Sequence, residues 1–218
     1  IKLLHGSQFF HGSSSTSLLA FTPYGNKEGR LIPIGQMEKE GKIPFGGEIV
    51  FGRSGVNQHS LSTVSVRDLK VALVYAYQNF RWNPEMEKKR IEENRTLLSR
   101  VHEDVLAKNG REVSEQRFKQ WDNLSALEKE LVSHPFSVLY GLKPKRPDVY
   151  QVVRGAVVKN EILIKDGVTA DEISVIYVPK ENINVTKQIL KLGGHSEILV
   201  QAIDPLWNDI PEMDLTLE

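Results

Sequence analysis

The chain has 218 residues, 40% of them hydrophobic and 26% charged, enough to bury a core as one domain carrying an insertion or as one large domain. Its 28 basic and 28 acidic residues cancel, so it lacks the broad positive field that nucleic acid or an anionic membrane would exploit. With no cysteine, a disulfide framework, a thiolate nucleophile and a cysteine zinc site are excluded.

No apolar run reaches the length of a membrane span, and the opening residues IKLLHGSQFFHG lack the basic and apolar regions of a secretory signal. The first residue is Ile1 rather than Met, from which we expect an excised domain whose targeting segment, if it had one, has been removed.

In chain order, residues 2 to 10 supply Leu3, Leu4, Phe9 and Phe10 and read as a strand, with His5-Gly6 as a bulge. His11-Gly12-Ser13-Ser14-Ser15-Thr16-Ser17 follows, then the apolar Leu18-Leu19-Ala20-Phe21. Hydroxyl residues ahead of an apolar run are N-cap chemistry, so a short helix is expected to begin near Thr16. A glycine beside His11 at a strand end would let a ligand approach the backbone closely. Residues 24 to 44, punctuated by glycine and proline, read as an ordered loop across a face of the sheet.

A strand bounded by glycines is expected over 45–52, then a turn, then His59 to Ser65. Ser65 and Asp68 form a capping box that opens a helix from about 66 to 80. Leu69, Ala72, Leu73 and Ala76 make its core-facing stripe, widened by Val66, Tyr77 and Phe80. Ser62, Thr63 and Ser65 thereby stand at a strand end ahead of a helix N-terminus, a place that can receive an anionic or carboxamide-bearing ligand.

From 83 to about 133 the chain turns charged and helical. Met86 to Leu106 gives one amphipathic helix ending at Asn109-Gly110, and Phe118, Trp121, Leu124, Leu127 and Leu131 mark a second. The expectation is a helical hairpin inserted between two sheet-forming halves, with a solvated charged face. Trp82 and Trp121 suggest that it also serves as a lid or partner surface.

Strand character returns over 136–142 and 150–158. In NEILIKDGVTADEISVIYVP, Glu161 heads the apolar Ile162-Leu163-Ile164, Lys165-Asp166-Gly167 turns, and Ile173 to Val178 is a strand stopped by Pro179. A glutamate at the first position of a strand projects from the sheet rim, where it can meet a ligand without burial unpaired. A helix over 183–192 and a last strand over 195–200 complete the reading, with an acidic tail from Asp204.

There is no phosphate-binding P-loop, no dinucleotide fingerprint, no HExxH and no GxSxG, and the six histidines are never paired at metal-ligand spacing. Read alone, His11 suits a hydrogen-bonded turn equally well, Ser65 suits simple capping, and Glu161 suits a solvated surface position. The chemistry that stands out is His-Gly-Ser after the first strand, a Ser-Thr cluster after a middle strand and a glutamate heading a late one.

The order strand-HGSSS-helix, PFGGEIVFG with GVNQHSLSTVS-helix, FSVLYGL and NEILIKDGVTADEISVIYVP resembles the bacterial effector or toxin type of mono-ADP-ribosyltransferase. The likeness is greatest to effectors that modify host proteins, the group that ADP-ribosylates threonine on ubiquitin among them. It covers most of the chain outside the helical insertion. The resemblance implies an α+β fold, a single domain over 1–218 whose split antiparallel β-sheet core with flanking helices grips NAD in a cleft. It implies His11 with Gly12 and Ser13 on the cofactor side, Ser62 and Thr63 lining the nicotinamide pocket and supporting the glutamate, and Glu161 as the catalytic residue. His5-Gly6-Ser7 rivals His11, and Glu197 rivals Glu161.

The middle tyrosine of the His-Tyr-Glu subclass has no clear counterpart, Tyr75 and Tyr77 being approximate ones, and Lys159 stands where the arginine-modifying subclass has its paired glutamate. The resemblance further implies NAD as co-substrate, no metal, a host protein acceptor such as ubiquitin, no nucleic-acid or membrane partner, and secretion into a host cytosol. The other classes carried forward are a catalytically silent interaction domain and an NAD glycohydrolase.

Overall fold

The architecture is that of a computed structural model, which describes residues 4–25, 29–40, 42, 45, 60–77, 88–89, 115–145, 150–153 and 161–208. The expected strand at 46–52, the first helix of the insertion with Trp82, Phe80, the continuation of the 150–158 strand and the tail beyond 208 lie outside the described residues.

The strands are β1 (Phe9–Ser14), β2 (Arg30–Leu31), β3 (Ser60–Ser65), β4 (Ser137–Leu142), β5 (Tyr150–Val153), β6 (Glu161–Lys165), β7 (Val168–Thr169), β8 (Ile173–Val178) and β9 (Val200–Ala202). The helices are α1 (Ile34–Lys39), α2 (Leu69–Tyr77), α3 (Ala126–Ser133), α4 (Ile183–Leu192) and α5 (Asp204–Asn208). The fold is α+β. A mixed, mostly antiparallel seven-stranded sheet runs β5-β6-β3-β1-β4-β8-β9, and β2 pairs with β7 in a separate two-stranded ribbon. Among the described strands only β8 and β9 pair in parallel, with α4 between them as the crossover that parallel neighbours require.

The sheet is narrow at one junction. β1 pairs with β4 over its whole length, Phe9 to Ser14, and β3 pairs with β6 from Ser60 to Val64. Between β1 and β3 the ladder holds only two pairs, Phe9 with Ser65 and Phe10 with Val64. Beyond Phe10 the two strands therefore no longer bond each other backbone to backbone, and the sheet divides into a β5-β6-β3 part and a β1-β4-β8-β9 part.

Both faces of the second part are covered. On one side α2 lays Leu69, Ala72 and Leu73 against Phe10, Leu139, Val175 and Tyr177. Full burial of such side chains is worth about 2 kcal/mol each. On the other, Leu18, Leu19 and Phe21 from a 3-10 helix (Ser15–Phe21) join Val138, Tyr140, Ile176, Val178, Leu131 and Ile189. Among the described residues no helix is long and apolar enough to cross a membrane.

Several expectations change in detail. The first strand starts at Phe9 rather than at residue 2, because His5 and Gly6 take φ of 47° and 74° and make a turn. The HGSS segment is consequently inside β1, and the short helix begins at Ser15 as a 3-10 helix. The loop over 24–44 contains β2 and α1. The buried stripe of α2 is Leu69, Ala72, Leu73 and Ala76 as expected, whereas Val66 and Tyr77 are exposed. The last strand is displaced to Val200–Ala202.

The second helix of the insertion is broken in two. Residues 115–122 are helical, the chain turns at Asn123-Leu124, and Ser125 starts α3 with a capping box. Its backbone amide donates to the Glu128 carboxylate at 2.9 Å while the Glu128 amide donates back to the Ser125 hydroxyl at 3.3 Å. Phe118, Trp121, Leu124, Leu127 and Leu131 all pack on the larger core. Trp121 meets Phe45 at 6.3 Å between centroids, so its partly buried ring packs against the core.

Candidate functional site

The carboxylate end of the site is set by strand register. β6 pairs antiparallel with β3 so that Val64 faces Glu161 and Ser62 faces Leu163. Residues directly opposite share a face, and alternate residues return to it, so Ser62 and Glu161 are diagonal neighbours on one face. The Ser62 hydroxyl donates to the Glu161 carboxylate. A hydroxyl aimed at one oxygen fixes the rotamer of a glutamate that would otherwise sweep a wide volume from the strand's first residue.

The same serine holds the histidine. Where β1 and β3 part, the Ser62 carbonyl has no ladder donor from β1, and the His11 Nδ1 lies 2.7 Å from it. A carbonyl oxygen only accepts, so Nδ1 carries the proton and Nε2 is left as an acceptor in the neutral ring. Burial lowers the His11 pKa from its ordinary value of 6.5, and the bond to Ser62 offsets part of that. His11, Ser62 and Glu161 thus form one connected chain across the mouth of the sheet's division.

Tyr140 stands directly opposite His11 in the β1–β4 ladder, and the two rings stack with centroids 6.1 Å apart and planes 28° from parallel. Sequence pattern alone passes over Tyr140, which reads as one more apolar residue of a buried strand. Tyr75 and Tyr77, the approximate tyrosines of the sequence reading, are 46% and 42% exposed on α2.

Other residues of the reading take different places. Gly12 contacts α2: a Cβ there would come within 1.9 Å of the Ala72 carbonyl oxygen and 2.8 Å of the Ala76 nitrogen. Its missing side chain admits a helix backbone, where the sequence suggested the approach of a ligand. Thr63 alternates to the opposite face from Ser62, is 2% exposed, and donates its hydroxyl to the Ile162 carbonyl at 2.8 Å. Ser13 shares the His11 face of β1 and is half-buried. Ser65 donates to Asp68 at 3.3 Å without capping the helix backbone, because a 3-10 turn (Val66–Asp68) intervenes before α2.

The rivals stand apart from this chain. His5 is exposed in the turn before β1. Glu197 precedes β9, at the far side of the sheet order from β6, and lies 3.8 Å from His195. Among the described residues no group of three or more His, Cys, Asp or Glu could hold a metal ion.

No family model, curated protein or solved structure matches the chain.

Proposed function

We propose that the chain is an NAD-dependent mono-ADP-ribosyltransferase that modifies a protein side chain and releases nicotinamide. The observation that carries this reading is the pair of bonds made by Ser62, one orienting the Glu161 carboxylate and the other holding His11. Three residues taken from separate parts of the sequence are thereby joined through one serine. The narrow junction between β1 and β3 supports the split-sheet form of the fold.

Each group has a task. As nicotinamide leaves with the bonding electron pair, positive charge develops at the ribose, and the fixed Glu161 carboxylate stabilises it and accepts from a ribose hydroxyl. The acceptor oxygen then bonds to the anomeric carbon, and its proton passes to Glu161. His11 Nε2, an acceptor in the neutral ring, suits a hydroxyl of the adenosine-side ribose. A hydroxyl acceptor such as threonine of ubiquitin is what the family resemblance alone implies; Lys159, two residues before Glu161, leaves the paired glutamate of the arginine-modifying subclass without a counterpart.

The test is intact-mass spectrometry of host-cell lysate proteins and of purified ubiquitin after incubation with NAD. A protein gaining one ADP-ribose supports transfer. Free ADP-ribose with no modified protein makes the chain an NAD glycohydrolase, and no NAD consumed leaves an interaction domain.

A further inference from the structure

Tyr140 is a fully buried tyrosine whose hydroxyl is bonded and whose ring lies against His11. The Tyr140 and Ser17 oxygens are 2.6 Å apart, and the Ser17 hydroxyl lies 2.7 Å from the Ser14 carbonyl. Ser17 has one proton, and the carbonyl can only accept it, so the Tyr140 hydroxyl is the donor in its bond to Ser17. Burial also holds the Tyr140 phenol far above its ordinary value, which keeps that donor protonated.

The hydrogen bonds and ring contact form a continuous series. Ser14 carbonyl accepts from Ser17, Ser17 accepts from Tyr140, the tyrosine ring stacks on His11, His11 donates to the Ser62 carbonyl, and Ser62 donates to Glu161. The 3-10 helix after β1 is thereby tied to the carboxylate through two rings. A single bond to Ser62 would leave the imidazole plane some freedom to tilt through its side-chain torsions; a flat neighbour of fixed position removes that freedom.

We infer that Tyr140, locked by Ser17, is a positioning residue for His11: it sets the imidazole plane so that Nδ1–H meets Ser62 and Nε2 stands as a fixed acceptor. The residue touches neither the carboxylate nor any reacting atom. That the fixed acceptor serves NAD rests on the proposed transferase reading; that Tyr140 fixes it does not.

The experiment has one arm for each statement. In the free protein labelled with 15N-histidine, the His11 resonances are assigned by their loss in His11→Gln. Wild type is expected to show a protonated Nδ1 and an unprotonated Nε2. In folded Tyr140→Phe, which deletes only the bond to Ser17, and folded Ser17→Ala, which also deletes the bond to the Ser14 carbonyl, the His11 signals are expected to move toward averaged tautomers. In Tyr140→Leu they are expected to move further. With NAD, Tyr140→Phe and Ser17→Ala should raise KM about fivefold, the equivalent of one ordinary net hydrogen bond, with kcat unchanged.

Unchanged His11 signals in folded Tyr140→Phe and Ser17→Ala would overturn the inference, whatever happens to melting temperature. A rise in KM without a change at His11 would overturn it too. If wild type neither binds nor consumes NAD, the transferase reading fails while the resonances still decide the role of Tyr140.

Discussion

Ser62 donates its hydroxyl to the carboxylate of Glu161 from the neighbouring strand, one diagonal step along the β3–β6 ladder. Its backbone carbonyl simultaneously accepts from His11. Side chain and main chain of one residue therefore organise both ends of the candidate site.

Replacing Ser62 by alanine separates these roles, because the carbonyl remains. Ser62→Ala is expected to lower kcat for nicotinamide release by about ten- to a hundredfold, the scale of one lost hydrogen bond to a charged group. The KM for NAD should change little, since His11 keeps its partner. Thr63→Val provides the contrast. The hydroxyl it removes is bonded to the Ile162 carbonyl on the buried face, so the expected outcome is a stability loss of about 1 kcal/mol in urea with kcat retained.

Gly12→Ala tests whether the glycine serves packing or a ligand. A methyl group 1.9 Å from the Ala72 oxygen forces α2 off β1, and overpacking of this kind costs about 1–3 kcal/mol. Urea denaturation should show that loss. An alanine variant of native stability with a raised KM for NAD would instead place a ligand over the strand.

The lowered pKa of His11 predicts a direction for stability against pH. The unfolded chain protonates this imidazole near its ordinary value of 6.5, and the folded protein does so only at lower pH. The stability contributed by the neutral ring is therefore present above the unfolded value and is lost as pH falls through the window between the two. Denaturation midpoints measured on either side of that window should fall on acidification, and the slope should flatten in His11→Gln.

The Ser125–Glu128 box makes a separate claim about the insertion. Burial raises the Glu128 pKa, but hydrogen bonds to the carboxylate, those from the Ser125 amide and hydroxyl among them, outweigh it and leave the carboxyl below its ordinary value of 4.5. Ser125→Ala should cost about 1 kcal/mol, as loss of an N-cap does. The contribution of Glu128 should be present above its unfolded pKa and disappear as pH falls through the folded one, visible as a shallower acid limb in Glu128→Gln.

Much of this arrangement is legible in residue order because it depends on local pattern. Glu161 heads its strand, Ser62 precedes its helix, Leu69, Ala72, Leu73 and Ala76 repeat at helical spacing, and Ile183–Leu192 ends at paired glycines. The Ser125-x-x-Glu128 box is likewise a local pattern, and it marks where the insertion's second helix divides.

What is not legible depends on register between distant strands. Tyr140 becomes a neighbour of His11 only once β4 is set against β1, and nothing in FSVLYGL distinguishes its ring from the aliphatic residues around it. The neighbour of Gly12 is likewise set by where α2 docks. The start of β1 is hidden in the sequence because two residues with positive φ turn the chain inside what reads as an apolar run.

The measurement that bears most directly on the central claim is nicotinamide release from NAD, in the presence of ubiquitin, by wild type, Glu161→Gln and Glu197→Gln. Wild type and Glu197→Gln are expected to release nicotinamide alike, while Glu161→Gln falls by at least the hundredfold or so expected for a lost electrostatic stabiliser. Wild-type release retained in Glu161→Gln would contradict the account, and its loss in Glu197→Gln would move the chemistry to the other end of the sheet.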